Sequence, residues 1–223
     1  MFRWCIAALL LMCSVPGLAS DANVTREILW LDPDHTQPMF VPEEILNERS
    51  GNDFPQLQRA ATGCQALKIW REDPLSYTPA DFKAIAESNE LAVTGKVIGQ
   101  VTGWSTYEGH VVTMIHVRVT EVLRDVNGDM KPGDVAIFRE LHGDITVHGV
   151  RHCVSPQSGY YTPADGDEVL LVGNRWEGDA RVVVSHFVYS VSGGQVAQRA
   201  FTPISHGAVT LESMRTRIGR DTQ

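Results

Sequence analysis

Leu91-Ala92-Val93-Thr94-Gly95-Lys96-Val97-Ile98-Gly99-Gln100-Val101 carries an apolar residue or glycine at every odd position, with Thr94, Lys96 and Gln100 between them. A strand sends successive side chains to opposite faces, so this period of 2 predicts a half-buried strand over 91–101. The period resumes in Val111, Thr113, Ile115, Val117 and Val119, set against His110, His116, Arg118 and Thr120, and predicts a second long strand over 111–123. Asp125-Val126-Asn127-Gly128-Asp129 and Lys131-Pro132-Gly133-Asp134 form a turn-rich break before a strand over 135–141. Further strands fit 145–154, 168–172 and 181–191. The last two are apolar on both faces and are expected to be central or covered. A helix over 211–218 follows, with Thr210 placed to cap its start and Gly219 its end.

Upstream the periodicity disappears. Pro33, Pro38, Pro42, Pro55 and Pro74 break the chain, and short helices fit only 42–49 and 56–66. A clearer helix opens at Thr78-Pro79-Ala80-Asp81, where Thr78 can cap, Pro79 suits the first turn and Asp81 favours the positive helix end. The expected fold is mainly β, a small OB-like barrel of roughly five or six strands over 86–192 with flanking helices. An irregular extension over 20–85 and a C-terminal segment over 193–223 pack against it.

Four stretches carry a resemblance: Glu90-Leu91-Ala92-Val93-Thr94-Gly95-Lys96-Val97, His116-Val117-Arg118-Val119-Thr120-Glu121-Val122-Leu123-Arg124, Lys131-Pro132-Gly133-Asp134-Val135, and Asp165-Gly166-Asp167-Glu168-Val169-Leu170-Leu171-Val172. Together they resemble a group of exported bacterial proteins of unknown function, whose domains are similar to the OB-fold barrel of tissue inhibitors of metalloproteinases and netrin modules. The resemblance implies a fold and stops there. The inhibitors chelate a protease zinc through a cysteine at the mature N-terminus, and no cysteine stands near Asp21; their dense disulfide framework is also missing.

Arg3, an apolar run over 4–15, Pro16 and then Gly17-Leu18-Ala19 predict an export signal over 1–19, cleaved after Ala19. The apolar run is shorter than the roughly 20 residues that span a bilayer, and no transmembrane helix is expected after cleavage. A lipoprotein anchored at Cys13 is disfavoured, because Met12 stands where the lipidation motif wants a small residue. The expected location is periplasmic or secreted. Cleavage removes Cys5 and Cys13 and leaves Cys64 and Cys153, an even pair that reads as one disulfide in an exported chain. Two unpaired buried thiols are the alternative.

The net charge of −8 argues against nucleic acid as a partner, since a phosphate backbone is held through Lys and Arg. With 43% hydrophobic and 21% charged residues the chain is neither disordered nor a membrane bundle. No nucleophile elbow, zinc-protease helix, phosphate loop or dinucleotide fingerprint is present.

OB-like barrels usually bind ligands between the first hairpin loop and the loop joining the last two strands. Here these are Gly103-Trp104-Ser105-Thr106-Tyr107-Glu108-Gly109 and Gly173-Asn174-Arg175-Trp176-Glu177-Gly178. If the loops converge, Trp104 and Trp176 form a surface for a protein, peptide or glycan partner, flanked by Tyr107 and Arg175. Otherwise both indoles plug the barrel end or pack on the extension. His142, His148 and His152 are the weak alternative for a metal. Strand residues four apart lie about 13 Å from one another, whereas two ligands of one zinc lie within about 4 Å, so neither metal nor cofactor is expected. Asp125, Asn127 and Asp129 start a calcium-loop pattern that fails at Met130 and Ala136. The leading expectation is a non-enzymatic binding or interaction module of the cell envelope or secreted space. The runner-up is an exported hydrolase, metal-assisted if the histidines meet.

Overall fold

Leu91–Ser105 and His110–Asp125 are continuous strands paired antiparallel throughout, from Leu91 opposite Asp125 to Ser105 opposite His110. The computed structural model describes residues 30–31, 38–49, 54–60, 62–66, 89–106, 109–155, 161–176, 179–197 and 209–218. The expected export signal and the helix expected at Thr78 lie outside these residues. In chain order the elements are β1 (Trp30–Leu31), β2 (Pro38–Pro42), α1 (Glu43–Glu48), α2 (Pro55–Arg59), β3 (Gly63–Ala66), β4 (Leu91–Ser105), β5 (His110–Asp125) and β6 (Val135–Glu140). They continue with β7 (Gly143–Val147), β8 (Val150–Ser155), β9 (Glu168–Trp176), β10 (Asp179–Ser192), β11 (Gln195–Ala197), β12 (Val209–Thr210) and α3 (Leu211–Ile218). The molecule is mainly β, with short helices, and no helix among the described residues is long and apolar enough to cross a membrane.

Pairing runs from β4 to β5, β5 to β6, β6 to β10, β10 to β9, and from β9 back to β4. Only β6 and β10 run parallel in this series, with Val182 and Val183 opposite Ile137 and Phe138. Register shifts at Ala92/Val93, Thr94/Gly95 and Val97/Gly99 bend β4. Its first part can therefore pair with β9 and its last part with β2. Gly103 is needed where β2 crosses, because a Cβ there would stand 2.7 Å from the Phe40 ring and 2.3 Å from the Val41 carbonyl.

One face of these strands gathers Leu91, Val93, Ile115, Val117, Phe138, Leu171 and Val188, drawn from all five. Each such buried side chain contributes roughly 1.5–3 kcal/mol, which makes this cluster the main support of the pairings. The opposite face is covered too. Ala92, Leu170, Val172 and Tyr189 pack with Met214 of α3, and Leu123 and Leu211 close the edges. Hence Leu91–Gly95 is buried on both sides, where the alternation alone predicts one wet face. Thr210 caps α3 as expected, its Oγ1 accepting the Ser213 N–H at 3.0 Å.

The stretch 145–154, expected as one strand, is instead the hairpin β7–β8. His148 and Gly149 both have positive φ, 48° and 80°, and a two-residue turn of that kind matches the strand twist. β8 also pairs with β3, making a three-stranded sheet. The free edge of β7 is met by α1 rather than by a strand. Asn47 donates to the Thr146 carbonyl at 2.9 Å and accepts from the His148 N–H at 2.9 Å, while Glu43 accepts from the Thr146 N–H at 2.8 Å. Two side chains one helical turn apart thus satisfy backbone groups that would otherwise invite another chain.

Cys64 and Cys153 are register partners in β3 and β8 and form a disulfide, with Cα atoms 4.4 Å apart at a sequence separation of 89. For a loop this long, removing the bond with Cys64→Ser and Cys153→Ser is expected to cost about 2 to 5 kcal/mol in urea unfolding. A loss under about 1 kcal/mol would show that packing alone holds β3 in place.

Candidate functional site

β4 and β9 run antiparallel, with Leu91 opposite Gly173. Arg175 and Trp176 therefore lie beyond the start of β4, and Trp104 lies near its end. At about 3.3 Å per residue the two tryptophans are separated by on the order of 50 Å of strand contour. Gly103 and Gly173, the first residues of the two loops expected to converge, stand near opposite ends of β4.

Trp104 is not a loop residue. It is the penultimate residue of β4, opposite Val111 and Val41, and is 3% exposed. Its ring packs with Leu46, Phe54, Leu57, Ile145, Val147 and Val154. The His152 ring stands edge-on to it, with centroids 6.2 Å apart. This corresponds to the packing alternative for Trp104. Tyr107 lies outside the described residues, as does the side chain of Trp176.

Arg175 is turned inward, hydrogen-bonded through Nη2 while Nε and Nη1 are buried without a partner. Its guanidinium is 4% exposed and donates to Asp125 at 2.7 Å and to Asp129. Asp125 also accepts from the N–H groups of Asn127 at 3.0 Å and Met130 at 2.8 Å. Burial alone would raise the Asp125 carboxyl, but the Met130 N–H and Arg175 outweigh it and hold it below the usual carboxylate range. The partial calcium-loop pattern is thus a turn organised by one aspartate, with a guanidinium as its cation.

The histidines do not converge. His148 is exposed and donates from Nε2 to the Arg49 carbonyl at 3.0 Å. His152 is buried against Trp104. His142 is partly buried, and its carbonyl accepts the Thr113 hydroxyl at 2.7 Å. No three His, Cys, Asp or Glu side chains gather in a metal-binding group among the described residues. His116, on the polar side of the alternation in β5, is 3% exposed and lies opposite Gly99 and Ile137.

Burial pushes both His116 and His142 below the ordinary imidazole range, for His116 against the pull of a hydrogen bond to the Gly99 backbone. Folding stability should therefore fall as pH drops below the unfolded value of 6.5, since the unfolded chain takes up protons that the folded one resists. The slope reaches at most about 1.4 kcal/mol per pH unit for each histidine, down to its folded pKa. Urea midpoints near pH 7.5 and near pH 5.5 should differ less in His116→Gln than in the wild type. An equal difference in both proteins removes His116 from this account.

A cavity lies outside the apolar cluster, among the described residues. It holds about 290 Å³ between α3 and the outer faces of β4, β5 and β9, lined by Thr94, Thr120, Glu121, Glu168, Val191, Leu211 and Arg215 among others. The Thr94 and Thr120 hydroxyls are hydrogen-bonded at 3.0 Å. Arg215 spans the mouth, with Nε and Nη2 on the two oxygens of Glu121 at 2.7 Å each and Nη1 on Glu212 at 3.1 Å. Sequence reading missed this site because its parts are far apart in the chain; Glu121 and Arg215 are separated by 94 residues. The available signal was the apolar pair Leu211 and Met214 on a short, well-capped helix, which had to cover something.

No protein-family model matches the sequence, and no curated protein matches it.

Proposed function

We propose that this chain is an exported interaction module, periplasmic or secreted, built on an OB-like barrel. A cyclic order of five strands with one parallel pair is the arrangement such a barrel uses, and it fits the resemblance to the modules of metalloproteinase inhibitors and netrins. The observation that carries the binding function is how the polar groups are used. The inner face is filled by Ile115, Phe138 and Leu171, and Arg175 through Nη2, His148 and Thr113 are hydrogen-bonded within the chain. Among the described residues, the cavity beneath α3 is open and brings polar and apolar side chains together. The test has two parts. Intact mass should give a mature species starting at Ser20, and a chain retaining Met1 or lipidated at Cys13 overturns export. Cross-linking in envelope extract should then give one saturable partner; if none competes with unlabelled protein, the module reading is abandoned.

A further inference from the structure

We infer that the Cys64–Cys153 disulfide is a thiol-exchange site whose partner is a protein dithiol, and that the partner's thiolate joins Cys64. The inference goes beyond the interaction-module reading and uses a different part of the molecule from the cavity beneath α3. Its first support is access. Cys64 is exposed, whereas Cys153 is 6% exposed. Among the described residues β3 is an edge of the three-stranded sheet and pairs with β8 alone. β8 is central, and Asp144 of β7 is the register partner of Cys153 on its other side. In exchange the incoming thiolate must reach a sulfur from the side opposite the bond that breaks. A bond between register partners spans the gap between two strands. Its line continued past Cys64 leads off the open edge of the sheet, and continued past Cys153 it leads to β7. Attack on Cys64 is therefore open, and attack on Cys153 is obstructed.

The second support is what happens after the first attack. The partner's thiolate forms a bond to Cys64 Sγ, the Cys64–Cys153 bond breaks, and Cys153 leaves as a thiolate that takes a proton from water. Cys153 stays on β8, its Cα 4.4 Å from that of Cys64 while β3 remains paired, so it attacks Cys64 again and expels the partner. A partner with one thiol loses that competition. A second thiol in the same partner molecule ends it: as a thiolate it attacks the partner's own sulfur, closes the partner's disulfide and releases Cys64 reduced. Two electrons thereby pass from the dithiol to this chain. What the exchange changes is β3, a strand of four residues whose covalent tie to β8 is this bond. Upstream, Phe54 and Leu57 keep α2 anchored in the Trp104 cluster. Reduction therefore frees β3 from β8 and leaves β4, β5, β9 and β10, joined by a separate cluster, in place.

The experiment uses the oxidised full chain without substitutions. The probe is reduced thioredoxin with serine in place of its resolving cysteine, which attacks a disulfide but cannot complete the exchange. Brief reaction, acid quench and peptide mapping locate the mixed disulfide. It is expected on Cys64 in excess over Cys153 by about tenfold or more, and the same reaction on the urea-unfolded chain should bring the two sulfurs close to parity. Intact reduced thioredoxin should then reduce the native bond. After that reduction, amide exchange should accelerate in β3 and β8 and stay unchanged in β9 and β10. Three results overturn the inference: labelling of Cys153 in the native chain equal to or above that of Cys64, labelling only after unfolding, or an acceleration as large in β9 and β10 as in β3. If any of them appears while an envelope partner is still captured, the interaction module stands and the disulfide is a structural bond only.

Discussion

Trp104→Ala is expected to lose about 3 to 5 kcal/mol of unfolding free energy, the range for truncating a large buried aromatic. The indole is 3% exposed and sits where α1, α2, β7 and β8 meet the end of β4. Removing it opens a void in the cluster that holds Leu46, Phe54, Ile145 and Val154, which come from α1, the start of α2, β7 and β8 and cannot all move inward together. The N-terminal helices and the three-stranded sheet should loosen first. Amide exchange should accelerate in α1, β7 and β8 before it does in β9 and β10, whose packing is a separate cluster. Trp104→Phe keeps most of the apolar volume and should lose clearly less than the alanine variant. Urea unfolding of both variants checks this. A loss of about 0.5 kcal/mol or less for Trp104→Ala would mark a surface residue and restore the tryptophan as a ligand contact.

The strands were legible because their periodicity is local. A residue and its neighbour two places on share a face wherever the strand is placed, so 91–101 and 111–123 could be read without knowing their partners. The cap of α3 and the pairing of Cys64 with Cys153 were legible for similar reasons, one from adjacent residues and the other from compartment and count. Coverage was not. Ala92 and Thr94 look like the wet side of a strand, and only the docking of Met214 and Leu211 buries that face. The His148-Gly149 turn was hidden by the β-branched residues around it, although a histidine before glycine can adopt positive φ in pairs like this. The position of Trp104 depended on loop geometry. Glycines at 103 and 109 suggest a loop, yet Gly103 serves the crossing of Phe40 over an unbroken strand.

Arg175→Met is expected to cost about 3 to 5 kcal/mol, comparable to the loss of Trp104 but for an electrostatic reason. The side chains of Arg175 and Asp125 are 4% and 5% exposed, so each is nearly withdrawn from water and relies on the other for compensation. Methionine fills much of the same volume but leaves the Asp125 carboxylate with backbone N–H groups alone. The sign of the pH dependence follows. In the wild type the Asp125 carboxyl lies below its unfolded value of 3.8, so its stabilisation is complete above that pH and is lost as pH falls through the folded value. Without Arg175 the burial that raises this carboxyl is less opposed, and the deficit of the variant relative to wild type should shrink as pH is lowered toward 4. Asp125→Asn in the Arg175→Met background removes the stranded charge and should recover part of the loss, although Asn cannot accept from both Asn127 and Met130 as the carboxylate does. Asp129, with its side chain 51% exposed, can remain hydrated and should contribute much less when changed to asparagine. Urea unfolding of the two single variants and the double variant near pH 7 measures the coupling directly. A loss below about 1 kcal/mol for Arg175→Met, or no recovery in the double variant, would mean that the guanidinium is not what balances the buried carboxylate, and that the turn at Asp125 is held by its backbone bonds alone.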